Sequence, residues 1–168
     1  MIAMNESVLI EQHLLEELRS RRLTFAAAES CTGGLIAKRI TDLSGASAVF
    51  RGGVVSYTNE VKRDVLGVPQ ALLEQHGAVS APVAQAMAEG VRRITGADFT
   101  VSVTGVAGPD RDERGNEVGT VYLAVSTAQD CTVYPCRFDG DRQEIRCQAA
   151  STAFSLLLQH LNEYQPNN

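Results

Sequence analysis

Between Thr24 and Leu43 the chain writes a strand, a tight turn and a helix with almost nothing between them. Thr24 to Ala28 is a short, weakly polar run of strand length that ends in Glu29. Thr32-Gly33-Gly34 interrupts it, and Leu35, Ile36, Ile40 and Leu43 then recur at helical spacing. Such a unit has to lay its helix against a sheet, and the flanking sequence supplies the rest of one. Residues 7–20 read as a helix with Val8, Leu9, Leu14, Leu15 and Leu18 largely on one face. Gly52 to Tyr57 reads as a second strand, followed by a short helix that Asn59 would cap and Gly67 would stop. Another short helix begins at Pro69 and runs to about His76.

Ser80 is the expected N-cap of a longer helix, with Pro82 in its first turn, Val83, Met87, Val91 and Ile94 as its apolar stripe, and Gly96 at its close. Phe99 to Val103 is a third strand. Asp110 to Glu117, polar and glycine-containing, is expected to be a mobile loop. Thr120–Ser126 and Thr132–Phe138 form a hairpin, and a last helix runs from about Arg142 to His160 before a frayed end. Helices alternate with strands until two strands come together. That order predicts a three-layer α/β domain with a mostly parallel sheet and at least one antiparallel strand.

The length of 168 residues suits one domain, 1–168, with its core over about 7–162. A net charge of −5 argues against a nucleic-acid binder, which usually carries a basic face. The one tight basic cluster, Arg19, Arg21 and Arg22, falls at the end of the first helix, where cations complement the helix dipole. No signal pattern is present and no run approaches the roughly 18 apolar residues of a membrane span, so no membrane partner and a cytoplasmic location are expected. Cys31, Cys131, Cys136 and Cys147 are then expected as free thiols. Neither they nor His13, His76 and His160 have zinc-ligand spacing, so no metal is expected.

Ligands of such sheets gather at the carboxyl ends of the strands. Three polar, glycine-rich segments fall there: Glu29 to Gly34, Ser56 to Lys62, and Thr104 to Pro109. In the first, Ser30 sits at a strand-to-helix turn, where unpaired amides around Cys31, Thr32, Gly33 and Gly34 suit a developing oxyanion. The plainer alternative makes Ser30 or Thr32 a helix cap. No histidine lies in these segments to complete a Ser-His-Asp triad. A lysine of lowered pKa can serve as base instead, and Lys62, just beyond Tyr57, is the candidate, against its reading as a solvated surface lysine. Cys31 is a rival nucleophile with no nearby group in sequence to favour its thiolate. Gly105 and Gly108 would let backbone amides after Thr104 hold a phosphate, or merely make a tight connection. Arg142 would bind that phosphate, or pair with Asp141 or a glutamate as a surface ion.

Taken together, Ala28-Glu-Ser-Cys-Thr-Gly-Gly34, Tyr57-Thr-Asn-Glu-Val-Lys62 with Leu66-Gly67-Val68, His76-Gly-Ala-Val-Ser80, Val103-Thr-Gly-Val-Ala-Gly-Pro109, Val118-Gly-Thr-Val121 and Gly140-Asp-Arg142 resemble the CinA C-terminal domain family, over nearly the whole chain. The resemblance implies a three-layer α/β/α sandwich with a mixed five-stranded sheet. Its amidase members convert nicotinamide mononucleotide and water to nicotinate mononucleotide and ammonia in pyridine nucleotide recycling, without metal or cofactor. The family serine corresponds to Ser30, the lysine to Lys62, the tyrosine to Tyr57, the Ser/Thr before the glycine loop to Thr104, and the arginine of Gly-Asp-Arg to Arg142. The loop after Pro109 is longer and more charged than a bare turn. The absence of a preceding nucleotide-processing domain leads us to expect a stand-alone amidase. In the expected mechanism Ser30 attacks the carboxamide, neutral Lys62 takes its proton, and Tyr57 bonds Lys62 or Ser30 to align them. The alternative is a non-catalytic pyridine-nucleotide-binding regulatory or competence-associated module. A small-molecule nucleotide is the expected partner, and assembly into a homo-oligomer is left open by the sequence.

Overall fold

Phe25-Ala-Ala-Ala-Glu29 is β1, a strand buried along its whole length, and its small side chains let both neighbours and both helical layers close over it. The computed structural model describes residues 2–166, with side chains from Ile10 onward. The elements run α1 (Ile2–Arg21), β1 (Phe25–Glu29), α2 (Leu35–Thr41), a 3₁₀ turn (Ala46–Ala48), β2 (Phe50–Val55), α3 (Asn59–Asp64), α4 (Gln70–His76), α5 (Ala81–Thr95), β3 (Phe99–Gly105), β4 (Thr120–Ser126), β5 (Cys131–Arg137) and α6 (Arg142–Glu163).

The five strands form one sheet in the order β2-β1-β3-β4-β5. β1 pairs in parallel with β2 and β3, whereas β4 is antiparallel to both β3 and β5. Only β4 therefore runs against the others, and the expected mixed, mostly parallel α/β sheet is what forms.

Alternation along β1 separates the two faces. Phe25 and Ala27 join Leu14, Leu15 and Leu18 of α1, Ile36 and Ile40 of α2, and Ile145, Phe154 and Leu157 of α6 in the larger core. Ala26 and Ala28 face Val83, Met87 and Val91 of α5 together with Leu66 and Leu73. The second face of β3 carries hydroxyls, and each finds a carbonyl: Thr100 Oγ1 donates to Ala88 O at 2.7 Å, Ser102 Oγ to Ala84 O at 2.5 Å, and Thr104 Oγ1 to Ala78 O at 2.8 Å. These bonds offset the desolvation of buried hydroxyls, and the two to Ala88 and Ala84 fix α5 in register on the sheet. Gly90 permits the close approach: a Cβ there would lie 2.0 Å from Leu66 O.

Several local expectations are corrected. The α3 cap is Thr58, whose Oγ1 accepts Val61 N at 3.3 Å, because Asn59 already lies in the helix. Ser80 holds the N-cap position of α5 as expected, although its hydroxyl donates to Gly77 O at 2.8 Å and makes no side-chain cap bond. Ile94 falls off the α5 stripe and is 52% exposed, since the buried face ends at Val91. β2 starts at Phe50 and ends at Val55, so Tyr57 lies beyond the strand. The segment 110–117 is a loop, as expected, and it carries hydrogen bonds of its own. The Asp112 carboxylate accepts Asn116 N at 2.7 Å and Arg114 N at 3.1 Å, and Arg114 reaches the α4 carbonyls of Leu73 and Gln75. All four cysteines are free thiols. Among the described residues no helix is long and apolar enough to cross a membrane, and no group of His, Cys, Asp and Glu is arranged to hold a metal ion.

Candidate active site

β1, β2 and β3 are parallel neighbours, so their carboxyl ends deliver Ser30, Ser56 and Thr104 to one edge of the sheet. A cleft of about 250 Å³ opens there, lined by Ser30, Cys31, Tyr57, Lys62, Thr104, Gly105, Gly108 and Arg142, together with Ala78, Val79, Val106, Ala107, Asp110 and Asp112. Thr32, Gly33 and Gly34 support the turn behind Ser30 without lining the cleft.

Ser30 ends β1 with its amide donating to Val103 O at 2.9 Å. Neither it nor Thr32 caps α2. The N-cap position is Gly34, in the left-handed region at φ 100°, and the first-turn amides of Ile36 and Ala37 are taken by the carboxylate of Glu29, at 2.9 and 3.2 Å. Glu29 is 1% exposed, so this is a buried carboxyl group whose two oxygens are held by the first-turn amides of α2. The sequence reading missed it, because a cap seven residues upstream lies outside the local capping pattern. With the α2 amides claimed, the oxyanion candidates retreat into the turn. Gly33 N donates to Ser30 O at 3.0 Å and is spent. Among the described residues, the amides of Cys31, Thr32 and Gly34 have no partner in any other residue.

Lys62 is the largest departure from an ordinary lysine. It sits on α3 but turns inward and is 1% exposed, which overturns its reading as a solvated side chain. Its Nζ lies 3.0 Å from Ser30 Oγ and 2.6 Å from Ser56 O. Burial lowers its pKa from 10.5 to about 8. A neutral amine in this position can donate one N–H to Ser56 O and keep its lone pair for the Ser30 hydroxyl proton. Ser56 is a second participant that sequence reading did not single out; it is itself held by Glu29 O, which accepts Ser56 N at 2.8 Å. Cys31, buried beside Ser30, is pushed up to about 11 by desolvation, so its thiol stays protonated at neutral pH and is a poor nucleophile.

Tyr57 makes no hydrogen bond to Lys62 or Ser30. It is 58% exposed, and its hydroxyl accepts Arg142 Nη2 at 3.0 Å. Ser56 O occupies the lysine-orienting place expected for the phenol. Arg142, at the start of α6, also donates Nη1 to Gly108 O at 2.6 Å. It forms no pair with Asp141, which instead caps α6 by accepting Glu144 N at 2.9 Å. Thr104 Oγ1 is engaged with Ala78 O at 2.8 Å and shapes the floor. The last unforeseen residue is Arg146, one turn along α6 from Arg142. Its Nε and Nη2 donate to Cys31 O and Thr32 O at 3.0 and 2.9 Å.

Fold and site together define an α/β domain that holds a serine–lysine pair where parallel strands end. Comparison with known proteins narrows that class. The CinA C-terminal domain model matches residues 8–161, and the chain belongs to that family. It is 54% identical over 143 residues to a CinA-like protein of Geobacter sulfurreducens, covering 85% of this chain and 35% of that relative. The chain thus spans about a third of the length of the curated relatives it matches. A crystal structure of a competence-damaged protein (CinA) superfamily member from Klebsiella pneumoniae 700603 superposes with a TM-score of 0.92 at 32% identity, covering 94% of this chain and 99% of that one. The competence/damage inducible protein CihA from Agrobacterium tumefaciens gives 0.88 at 39% identity, covering 93% and 95%.

Proposed function

We propose that the chain is a serine–lysine amidohydrolase that converts nicotinamide mononucleotide and water to nicotinate mononucleotide and ammonia. The observation that carries this reading is the buried Lys62 Nζ, 3.0 Å from Ser30 Oγ with its pKa lowered to about 8. A lysine desolvated against a serine hydroxyl is costly to keep as a structural element. It is the arrangement required to deprotonate a serine without a histidine.

The steps follow from the positions. Ser30 Oγ attacks the carboxamide carbon while its proton passes to neutral Lys62. The oxygen of the carboxamide, now an oxyanion, is met by the Cys31 amide, which belongs to the residue of the turn that lines the cleft beside Ser30 and has no partner among the described residues. The C–N bond breaks, and Lys62 returns the proton to the departing ammonia. Water then attacks the acyl-enzyme, gives a proton to Lys62, and the ester bond to Ser30 breaks with that proton returned to Oγ. Arg142, on the rim of the cleft, is the cation for the 5′-phosphate, and its bonds to Tyr57 and Gly108 hold it there. The positive pyridinium ring withdraws electrons from the amide and lowers the barrier to attack. No step of this scheme draws on a metal or cofactor.

The test is release of ammonia and nicotinate mononucleotide by wild type and by Ser30→Ala. Turnover that disappears in the variant, with nucleotide binding retained, supports the reaction and its nucleophile. Binding without turnover by folded wild type would favour a regulatory nucleotide-binding module. Turnover surviving in Ser30→Ala would keep the reaction and discard this mechanism.

A further inference from the structure

We infer that Asp110 is a specificity-determining residue of the cleft: its carboxylate stands against the positively charged pyridinium ring of the bound nucleotide and selects that ring over a neutral one. This rests on the amidohydrolase reading above.

Every other side chain bearing oxygen or nitrogen on the cleft wall has a partner in the protein. Ser30 and Lys62 bond to each other, and so do Tyr57 and Arg142. Thr104 donates to Ala78 O. Asp112 commits both carboxylate oxygens to its own loop, accepting Asn116 N, Asn116 Nδ2 and Arg114 N. Asp110 alone has neither a hydrogen bond nor an ion pair among the described residues. It lines the cleft and is exposed, so a ligand entering the cleft can reach its carboxylate.

Charge gives that carboxylate a use. The basic side chains facing the same space are Lys62 and Arg142. A cationic ring placed beside them needs negative charge close by, and Asp110 supplies the carboxylate whose oxygens are not already taken. Arg142 and Asp110 line one cleft without pairing with each other. A cation and a carboxylate held apart in this way complement a ligand that carries both signs, as the substrate does in its pyridinium ring and its 5′-phosphate.

The backbone on either side of Asp110 is pinned. Before it, Val106 N donates to Thr120 O at 2.9 Å and Gly108 O accepts Arg142 Nη1 at 2.6 Å. After it, the Asp112 carboxylate accepts Asn116 N at 2.7 Å. The carboxylate is thus carried at a set place on the rim.

The experiment uses nicotinamide mononucleotide and its reduced form, whose dihydropyridine ring is neutral while ribose and phosphate are unchanged. Binding of both is measured by calorimetry in Ser30→Ala, alone and combined with Asp110→Asn or Asp110→Glu. Ammonia release is measured with Ser30 in place. Asp110→Asn should weaken binding of the cationic form by about 3–10-fold, at or just above the upper end for an exposed ion pair, because the cleft walls exclude part of the solvent. The reduced form should stay within about twofold, and Asp110→Glu should keep most of the preference. The ring is positive in ground and transition states alike, so Asp110→Asn should raise KM by a similar factor with kcat changed less than about twofold. Added salt should shrink the effect. Equal weakening of both forms would assign Asp110 to the shared ribose hydroxyls and overturn the ring reading. Unchanged binding of the cationic form would overturn any part in recognition. If folded wild type releases no ammonia while the preference for the cationic form still depends on Asp110, the amidohydrolase reading falls and the specificity role stands. If neither form binds, both fall together.

Discussion

Arg142 Nη2 donates to the Tyr57 hydroxyl at 3.0 Å, joining the segment after β2 to the first turn of α6 across the mouth of the cleft. The other arm of the guanidinium is committed to Gly108 O at 2.6 Å. A cation held at two points is preorganised for an anion. If it binds the substrate phosphate, Arg142→Ala should raise KM by roughly 10- to 100-fold, the equivalent of a lost charge-assisted hydrogen bond, with a smaller effect on kcat. Tyr57→Phe should act weakly, and only through Arg142. In a double-mutant cycle the Tyr57 change should cost almost nothing once Arg142 is alanine. A full Tyr57 effect in the Arg142→Ala background would instead give the phenol a role of its own.

The pH dependence of turnover follows from Lys62. The base must be neutral, and burial places its pKa at about 8. kcat/KM should therefore climb through pH 8 and level off above it. Lys62→Arg should be nearly as inactive as Lys62→Ala, because a guanidinium stays protonated throughout. A flat profile between pH 6 and about 9 would remove Lys62 as the base.

Much of this arrangement is legible in the sequence, and the parts that are not share a physical reason. Strand-to-helix switches and their glycines locate Ser30 and Thr104 at strand ends, and Lys62 on the short helix that follows β2, because those signals are local in sequence. The partners that complete the site are not local. Glu29 reaches forward to cap α2, Ser56 O receives Lys62, and Arg146 arrives from α6, more than a hundred residues from the turn it grips. Tyr57 shows the converse error. Its nearness to Lys62 in sequence suggested contact, but β2 stops at Val55, and the chain then carries the phenol outward to Arg142.

Packing offers a test that does not depend on activity. Gly90 lies in the middle of α5, where alanine is intrinsically favoured by about 1 kcal/mol. A Cβ there would meet Leu66 O at 2.0 Å, and a backbone carbonyl cannot step aside as a flexible side chain can. Gly90→Ala should therefore destabilise the fold by about 1–3 kcal/mol despite its better helix propensity. At about 2–4 °C per kcal/mol for a chain of this length, calorimetry would resolve the change easily. An unchanged or raised Tm would mean that α5 and the Leu66 segment are not in this contact.

Stability should also record the cost of keeping Lys62 ready. Its folded pKa, about 8, lies below the ordinary 10.5, so the folded state disfavours the charged amine. Below pH 8 the lysine is protonated in both states and the full cost is present. Between pH 8 and 10.5 the folded chain gives up the proton while the unfolded chain keeps it. The unfolded state then binds more protons, and wild-type stability gains with rising pH. Above 10.5 both states are neutral and the cost is gone. Replacing the amine by a thioether of similar length should consequently stabilise Lys62→Met relative to wild type by about 1–3 kcal/mol at pH 7, after allowing for the lost bonds to Ser56 O and Ser30 Oγ. Denaturant titrations of both proteins at pH 7 and at pH 10 would show the difference shrinking at the higher pH. A variant less stable than wild type at pH 7, or an advantage that widens with pH, would contradict a desolvated, pKa-lowered lysine at this position.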